Sequence, residues 1–133
     1  MSIDEAKVRA VFSGLEHGDG DAFFAHVAQT VDWTVMGTHP LAGRYLSKDA
    51  FRAATFSKLG KVLPGGAQLR ITSVIVSGDT AVVELASGAT ARNGMPFHNR
   101  YCWVVRFDGD IIVEVRAYLD SALVAELFRQ NPI

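Results

Sequence analysis

The chain has 133 residues, 20% of them charged, and a formal net charge of −1. That length suits one domain with one hydrophobic core, and the nearly neutral charge without a basic cluster predicts no nucleic-acid partner and no membrane-surface partner. Apolar runs stay short of the roughly 18 residues that span a membrane, and the N-terminus lacks a secretory pattern, so we expect a cytoplasmic protein in which residues 1–133 form one domain.

The N-terminal part of the chain has the pattern of two helices and a strand. Residues 2–5 match a capping box, in which a serine and a glutamate satisfy backbone amides at a helix start, so the first helix is predicted to begin at Ser2. Apolar residues at helical spacing over 8–15 continue that helix toward Gly18, where it ends. The elements predicted next are a helix over about 21–28, capped by Asp19 or Gly20, and a strand over 31–36.

Proline and paired glycines make residues 37–43 a loop, and Ser47 is predicted to cap a third helix that runs to about Leu59. The pattern then changes to strands separated by Gly-Asp, Asn-Gly and Asp-Gly turns, which favour hairpins. Four strands are predicted, over 68–76, 81–91, 96–107 and 111–119, followed by a helix over about 121–129. Helices followed by an antiparallel meander define an α+β fold.

The last predicted strand has two different faces. Glu114, Arg116, Tyr118 and Asp120 alternate with Val113, Val115, Ala117 and Leu119. Because polar groups on so apolar a strand need partners, we interpret the polar face as the lining of an internal cavity. The aliphatic face, together with Val104, then points outward and predicts a homodimer.

Metal and redox chemistry have little support in this sequence. Cys102 is the one cysteine, so it cannot form an internal disulfide, and its place between Tyr101 and Trp103 predicts a buried structural thiol. The four histidines show no metal-ligand spacing. We predict no metal site and no cofactor.

Three segments carry a resemblance to a known family: Val31-Asp32-Trp33, His39-Pro40-Leu41-Ala42-Gly43 and Val115-Arg116-Ala117-Tyr118-Leu119-Asp120. Together with the element order, they resemble the nuclear transport factor 2-like superfamily and, within it, the SnoaL-like domain. The resemblance covers nearly the whole chain. It implies a cystatin-like conical α+β barrel, with N-terminal helices packed on a curved, mainly antiparallel sheet and a pocket between the two layers.

The enzymes of that superfamily place their acid/base residues at different positions. Ketosteroid isomerases use a tyrosine and an aspartate where this chain has Phe12 and Met36, neither of which can donate or abstract a proton. Limonene-epoxide hydrolases use an arginine and an aspartate where this chain has Ala86 and Gly88. SnoaL-like polyketide cyclases use an aspartate at the end of the last strand as acid/base, and Asp120 matches that position. The alternative for Asp120 is a helix cap before Ser121.

Further site residues follow from this resemblance and from the strand pattern. Tyr118 and Asn99 are predicted to donate hydrogen bonds to a developing oxyanion. Arg116 is predicted to tune the pKa of Asp120, or alternatively to pair with Glu84 across the sheet in a structural ion pair. Glu84 shares a strand face with small side chains, which suggests space for a ligand.

Aromatic residues and one histidine complete the predicted site. Trp33, Tyr101 and Trp103 are predicted to form apolar walls, with simple core packing as the alternative for the tryptophans. His39 is a candidate base in a loop, or alternatively a residue that bonds only to the backbone. The sequence thus predicts a pocket for a small apolar ligand, with acid/base chemistry on a cyclic or polyketide-like carbonyl compound. The alternative is a non-catalytic ligand-binding or dimerisation domain.

Overall fold

A computed structural model describes residues 2–133 of the chain. The elements are α1 (Glu5–Glu16), α2 (Gly20–Phe24), β1 (Val27–Val35), β2 (Gly43–Tyr45), α3 (Lys48–Ala54), α4 (Phe56–Val62), β3 (Leu69–Ser77), β4 (Thr80–Ser87), β5 (Ala89–Thr90), β6 (Pro96–Phe97), β7 (Arg100–Asp108), β8 (Ile111–Leu119) and α5 (Ser121–Gln130). The α+β class and the order of helices before strands are confirmed.

Six strands form the main sheet, in the order β2-β1-β8-β7-β4-β3. The predicted meander is present, because β3, β4, β7 and β8 pair antiparallel with their neighbours. β1 then adds to β8 in parallel, with Trp33 opposite Val115. This pairing places the N-terminal strand inside the sheet, between β8 and the short edge strand β2.

The first helix begins later than the capping-box pattern predicted. The backbone amide of Lys7 donates to Asp4 Oδ1 at 2.7 Å, so Asp4 and not Ser2 is the N-cap. Asp19 caps α2 in the same way through the amide of Ala22, as one of the two predicted alternatives had it. α2 is shorter than predicted, because the chain enters β1 at Val27.

The third helix is broken in two at Thr55. Its start is as predicted, with the Ser47 hydroxyl accepting from the amide of Ala50 at 3.0 Å. Thr55 then leaves helical geometry, with φ −120° and ψ −73°, and its hydroxyl donates to the carbonyl of Phe51 at 2.7 Å. A threonine bonded to the preceding turn often bends a helix. The break directs α3 and α4 separately onto the sheet.

The two faces of β8 are the reverse of the prediction. Val115 and Ala117 are buried in the main core, and Leu119 packs against its edge. Arg116 is exposed, as is 44% of Tyr118. The prediction assigned the polar residues to a cavity, but the helices cover the face with the larger continuous apolar area, since that burial contributes most to stability. Val115 and Leu119 therefore belong to the inner face and not to the outer one.

Candidate functional site

A small apolar cavity of about 50 Å³ lies between the inner face of the sheet and helices α3 and α4. Three layers of structure form its wall: the sheet, the two helices and the loop after β1. The lining residues are Trp33, Val35, Leu41, Phe51, Thr55, Phe56, Leu59, Tyr101, Trp103, Ala117 and Leu119. This position agrees with the predicted pocket between sheet and helices.

The cavity wall is dominated by aromatic rings that contact one another. Val31, Trp33 and Val35 alternate on β1 and are all buried, which turns the Trp33 side chain toward the helices. Its indole stacks on the Phe51 ring with centroids 3.9 Å apart. Trp103 meets Trp33 edge to face at 5.3 Å. Aromatic pairs in such geometries contribute about 0.5–1.5 kcal/mol beyond the burial of their surface.

The predicted wall residues Trp33, Tyr101 and Trp103 all line this cavity. Each of them also packs in the main core or against it, so this position agrees with either of the two alternatives for the tryptophans. Phe51, Phe56 and Thr55 were not predicted as site residues. The helical spacing of Phe51 and Thr55 indicated a core-facing side, and only the break between α3 and α4 brings that side to the cavity.

The polar atoms of the cavity wall are few and uncharged. The indole Nε1 atoms of Trp33 and Trp103 are buried and lack a hydrogen-bond partner among residues 2–133. Burial raises the pKa of the Tyr101 phenol, which keeps it protonated at neutral pH. Thr55 already donates its hydroxyl proton to the backbone. The surface of the cavity is therefore almost wholly apolar, and its lining residues include no carboxylate, imidazole or amine.

His39 is fixed by the backbone on both sides of its ring. The amide of Leu41 donates to Nδ1 at 3.1 Å, so Nε2 carries the proton and donates to the carbonyl of Met36 at 3.0 Å. Burial lowers the pKa of the ring. Both nitrogens are occupied, and His39 does not line the cavity. The geometry matches the alternative of a backbone-bonded histidine and corrects the prediction of a base facing a ligand.

Asp120 and Asn99 hold the junction between β8 and α5. The amide of Leu123 donates to Asp120 Oδ1 at 3.1 Å, so Asp120 is the N-cap of α5, as its alternative predicted. The Asn99 side-chain oxygen accepts from the amides of Arg100 at 2.7 Å and Asp120 at 3.1 Å. Its amide nitrogen donates to the carbonyl of Asp120 at 3.4 Å. Asn99 is thus fully engaged with the backbone, which corrects its predicted place beside an oxyanion.

Three further predicted site residues, Glu84, Arg116 and Tyr118, lie on the outer face of the sheet and are exposed. The register places Cys102 between Glu84 on one side and Tyr118 on the other. The thiol is half-buried, whereas the prediction was a buried structural thiol. Arg116 contacts Glu114 at 3.6 Å and forms no ion pair with Glu84 within residues 2–133. The predicted pairing was wrong because β7 lies between the strands that carry the two residues. Glu84 lies opposite Cys102, and Arg116 lies opposite Val104.

The described residues contain no group of three or more acidic, histidine or cysteine side chains that could hold a metal ion. Across the same residues, helices are too short and too polar to cross a bilayer.

A helix-covered curved sheet that encloses an apolar pocket defines a class of small α+β pocket domains. Within that class the sequence matches the SnoaL-like domain over residues 8–115. The chain belongs to this family and, with it, to the nuclear transport factor 2-like superfamily, so the predicted family and the cystatin-like form of the fold are confirmed.

Known relatives agree with this assignment. The chain is 26% identical over 135 residues to the dimerizing cyclase phiC of a fungal species, with 98% of this chain and 59% of the relative covered. The chain thus spans about three fifths of that relative's length. An NTF2-like protein from Burkholderia thailandensis E264 is 28% identical, with a TM-score of 0.79 and coverage of 92% of this chain and 95% of its own. A putative isomerase from Rhodopseudomonas palustris shares the fold at 19% identity, with a TM-score of 0.67 and 93% of each chain covered.

Proposed function

We propose that this chain binds a small, uncharged and largely apolar molecule in the cavity between the sheet and helices α3 and α4. The observation that carries the proposal is the wall itself, which consists almost wholly of aliphatic and aromatic side chains and contains no charged group. Ligand pockets are commonly lined by apolar and aromatic side chains. Membership of the SnoaL-like family, whose relatives include a protein named as a cyclase, supports a role for this pocket in small-molecule chemistry.

The charge and size of the ligand follow from the same wall. An ionised group placed there would lose its hydration without gaining an opposite charge, a penalty of several kcal/mol. The cavity holds about 50 Å³, against about 150 Å³ for an engineered apolar cavity that takes benzene. The expected ligand therefore has few heavy atoms, or moves α3 and α4 apart when it binds.

Binding is measured by the fluorescence of Trp33 and Trp103, because these are the two tryptophans of the chain and both line the cavity. Butanone is expected to change the fluorescence saturably, whereas butanoate, of similar size but charged, is not. Ala117→Leu is the control, since it fills the cavity and leaves both indoles in place. Equal responses to butanone in the wild type and in this variant would contradict binding in the cavity.

A second candidate is acid/base chemistry on a cyclic or polyketide-like carbonyl compound, with Asp120 as the acid/base. The relative named as a cyclase favours it, and so does the position of Asp120 directly after Leu119, which lines the cavity. This function requires the Asp120 carboxylate to leave its capping bond and turn inward. Tyr118 and Arg116 would then need to act from outside the cavity, which makes them weaker candidates.

Asp120→Asn tests this second candidate cleanly. Asparagine caps a helix about as well as aspartate does, so the variant should keep its stability and lose only the titratable carboxyl. Turnover of a panel of linear and cyclic polyketones is measured by mass spectrometry for both proteins. Equal turnover in the two proteins would show that Asp120 is not the acid/base, and no turnover in either would leave binding alone as the function.

We also propose that two copies of this chain associate through the outer face of the sheet. Ile75, Val82 and Val104 lie side by side on neighbouring strands, and Ile75 is 63% exposed. Charged residues border this apolar stripe, among them Glu84 and Arg116. A solvated sheet face normally carries fewer large apolar residues. The sequence prediction of a homodimer used the aliphatic residues of β8, whereas the present proposal uses this apolar stripe.

The mass in solution tests the dimer by light scattering. The wild type is expected to have twice the mass of one chain, and Val82→Lys to have the mass of one chain, because it places a charge in the middle of the stripe. Ser57→Lys adds the same charge on helix α4, on the other layer of the fold, and should leave the mass unchanged. A wild-type monomer at all concentrations would contradict the proposal.

A further inference from the structure

We infer that the ligand site continues beyond the cavity into a surface groove, that the ring of Phe56 is the gate between the two, and that the site takes a linear, uncharged molecule. A gate here is a side chain that must turn aside before a ligand can pass. The inference rests on the proposed binding function and deepens it, because it gives the route into the cavity and the shape of the ligand.

The groove lies on the surface between the turn that follows α1 and the segment that precedes β3, and it holds about 140 Å³. Leu15 and Leu69 give it apolar walls. Three glycines contribute bare backbone: Gly18, Gly20 and Gly66. A Cβ added at any of these glycines would meet no atom within 4 Å, apart from its neighbours along the chain. The space beside them is therefore open to a bound molecule.

Phe56 is the residue that lines both the groove and the cavity. Its ring meets the Phe24 ring edge to face, with centroids 5.1 Å apart, and its centroid lies 5.8 Å from that of Phe51. Phe24 and Phe51 are buried, whereas Phe56 is half-buried. The outermost ring of this aromatic cluster thus separates the cavity from the groove.

The backbone holds Phe56 less firmly than it holds the other rings of the cluster. Phe56 is the first residue of α4 and directly follows the break at Thr55. The Thr55 side chain does not cap this helix, because its hydroxyl donates to the carbonyl of Phe51. The first amides of a helix have no acceptor within the helix, so an uncapped start is fixed less firmly than the interior. A half-buried ring at such a position changes rotamer at small cost.

The wall of the groove contains a strained residue. Gln68 lines the groove with a φ of 53°, and it is the one residue other than glycine that has a left-handed φ in the described part of the chain. That conformation costs free energy in a residue with a side chain, and strain of this kind is concentrated at ligand-binding and switching sites. Its place in the groove supports a function for this surface.

The shape and charge of the ligand follow from joining the two spaces. The cavity of about 50 Å³ holds few heavy atoms, whereas the cavity and the groove together have several times that volume. Because the two spaces meet at one ring, a molecule that occupies both is long and narrow. Neither lining contains a charged side chain, so an ionised group would lose its hydration without gaining a partner. A linear, uncharged chain satisfies both conditions.

The dependence of binding on chain length tests the shape of the site. Tryptophan fluorescence measures the affinity for 1-butanol and for 1-octanol, which share a polar end and differ in length. Each methylene group buried in the groove should tighten binding about fourfold, so 1-octanol is expected to bind at least about tenfold more tightly. Equal affinities would overturn the inference but leave the binding function standing. No binding of either alcohol would overturn both.

Filling the groove tests its part in the site. Gly20→Leu places a side chain in the groove, and is expected to remove the advantage of 1-octanol while 1-butanol binds with the same affinity. Gly60→Leu is the matched control, because Gly60 also lies in a helix with open space beside it, but outside the groove. An advantage of 1-octanol that survives in Gly20→Leu would overturn the role of the groove.

Removing the ring tests the gate through the rate of binding, measured by stopped-flow fluorescence with 1-butanol. The minor state of a two-state protein is commonly populated at about 0.1–10%, so permanent opening in Phe56→Ala should raise the rate constant for association at least about tenfold. Leu59→Ala is the control, since Leu59 lines the same cavity but not the groove, and should leave this rate nearly unchanged. An unchanged rate in Phe56→Ala would overturn the gate.

Gly20→Leu covers the case in which Phe56→Ala does not fold, because the substituted residue lies near the surface. By narrowing the route through the groove, it should slow the association of 1-butanol relative to Gly60→Leu. Equal association rates in these two variants would overturn entry past Phe56.

Discussion

Two tyrosines on neighbouring strands show how differently the two faces of this sheet behave. Tyr101 on β7 faces the helices, where burial raises the pKa of its phenol, and it lines the cavity. Tyr118 on β8 faces outward with 44% of its surface exposed. Side chains on a strand alternate between the faces, so the environment of a residue depends on whether its position is odd or even. Polarity alone does not decide which residues reach the pocket.

The largest test of this contrast compares one residue from each face. Trp33→Ala removes a fully buried ring stacked on Phe51, and should lower the free energy of unfolding by about 3–5 kcal/mol. Arg116→Ala removes an exposed side chain whose contact with Glu114 is long, and should change the free energy of unfolding by less than about 0.5 kcal/mol. Urea denaturation measures both. Similar losses for the two variants would contradict the assignment of the faces.

Asn99→Ala is expected to have the next largest effect, a loss of about 2 kcal/mol, because two backbone amides would lose their acceptor in a buried place. Asn93→Ala is the matched control. The Asn93 side chain also bonds to a backbone amide, that of Met95, but at the surface, where water can replace it. A loss equal to that of the control would show that the Asn99 contacts matter little.

Two substitutions of Asp120 distinguish its role as a helix cap from a chemical role. Asp120→Ala should lower the free energy of unfolding by about 1 kcal/mol through loss of the cap, whereas Asp120→Asn should lower it by only a few tenths. Thermal unfolding of both variants provides the measurement. If both variants are as stable as the wild type, the capping bond contributes nothing to stability.

The smallest expected effect is a pH dependence from His39. Burial lowers the pKa of its ring below the ordinary value of 6.5, so the unfolded chain takes up a proton first as the pH falls. Stability from this group is complete above about pH 6.5 and is lost as the pH drops below that value toward the folded pKa. The urea midpoint should therefore be lower at pH 5.5 than at pH 7.5.

His39→Gln identifies the source of that dependence, because glutamine does not titrate. The variant is expected to be less stable at both pH values, since it loses the bonds to Met36 and Leu41. The difference between the two pH values should shrink. If the difference is unchanged, other groups cause it.

The fold could be predicted from the sequence because its signals are local. Caps such as Ser47, the hairpin turns and the alternation along β7 each specify their own element, and the family resemblance supplied the order of layers. The faces of β8 could not be read in the same way. A bulge between Arg106 and Phe107 shifts the pairing of β7 with β8 by one residue, so Val105 pairs with Val115 and not with Glu114, and a count from the Asp-Gly turn gives the wrong face.

The candidate site could be predicted only for residue types that favour one environment. Trp33 and Trp103 are large enough that burial was the natural expectation, and the structure places both in the cavity wall. His39, Asn99 and Asp120 are able to serve either a ligand or the backbone. Backbone bonds to residues such as Leu41 and Leu123 decide between these roles, and they depend on loop and junction geometry that composition does not fix.

The parallel pairing of β1 with β8 also bears on how the chain folds during synthesis. Trp33 leaves the ribosome about 80 residues before its neighbours Val115 and Ala117. Contacts between residues so far apart in sequence slow folding, because a long loop must close before they form. The wall of the cavity therefore cannot be complete until the strand that carries Ala117 and Leu119 has been synthesised, and until then the N-terminal aromatic residues lack these partners.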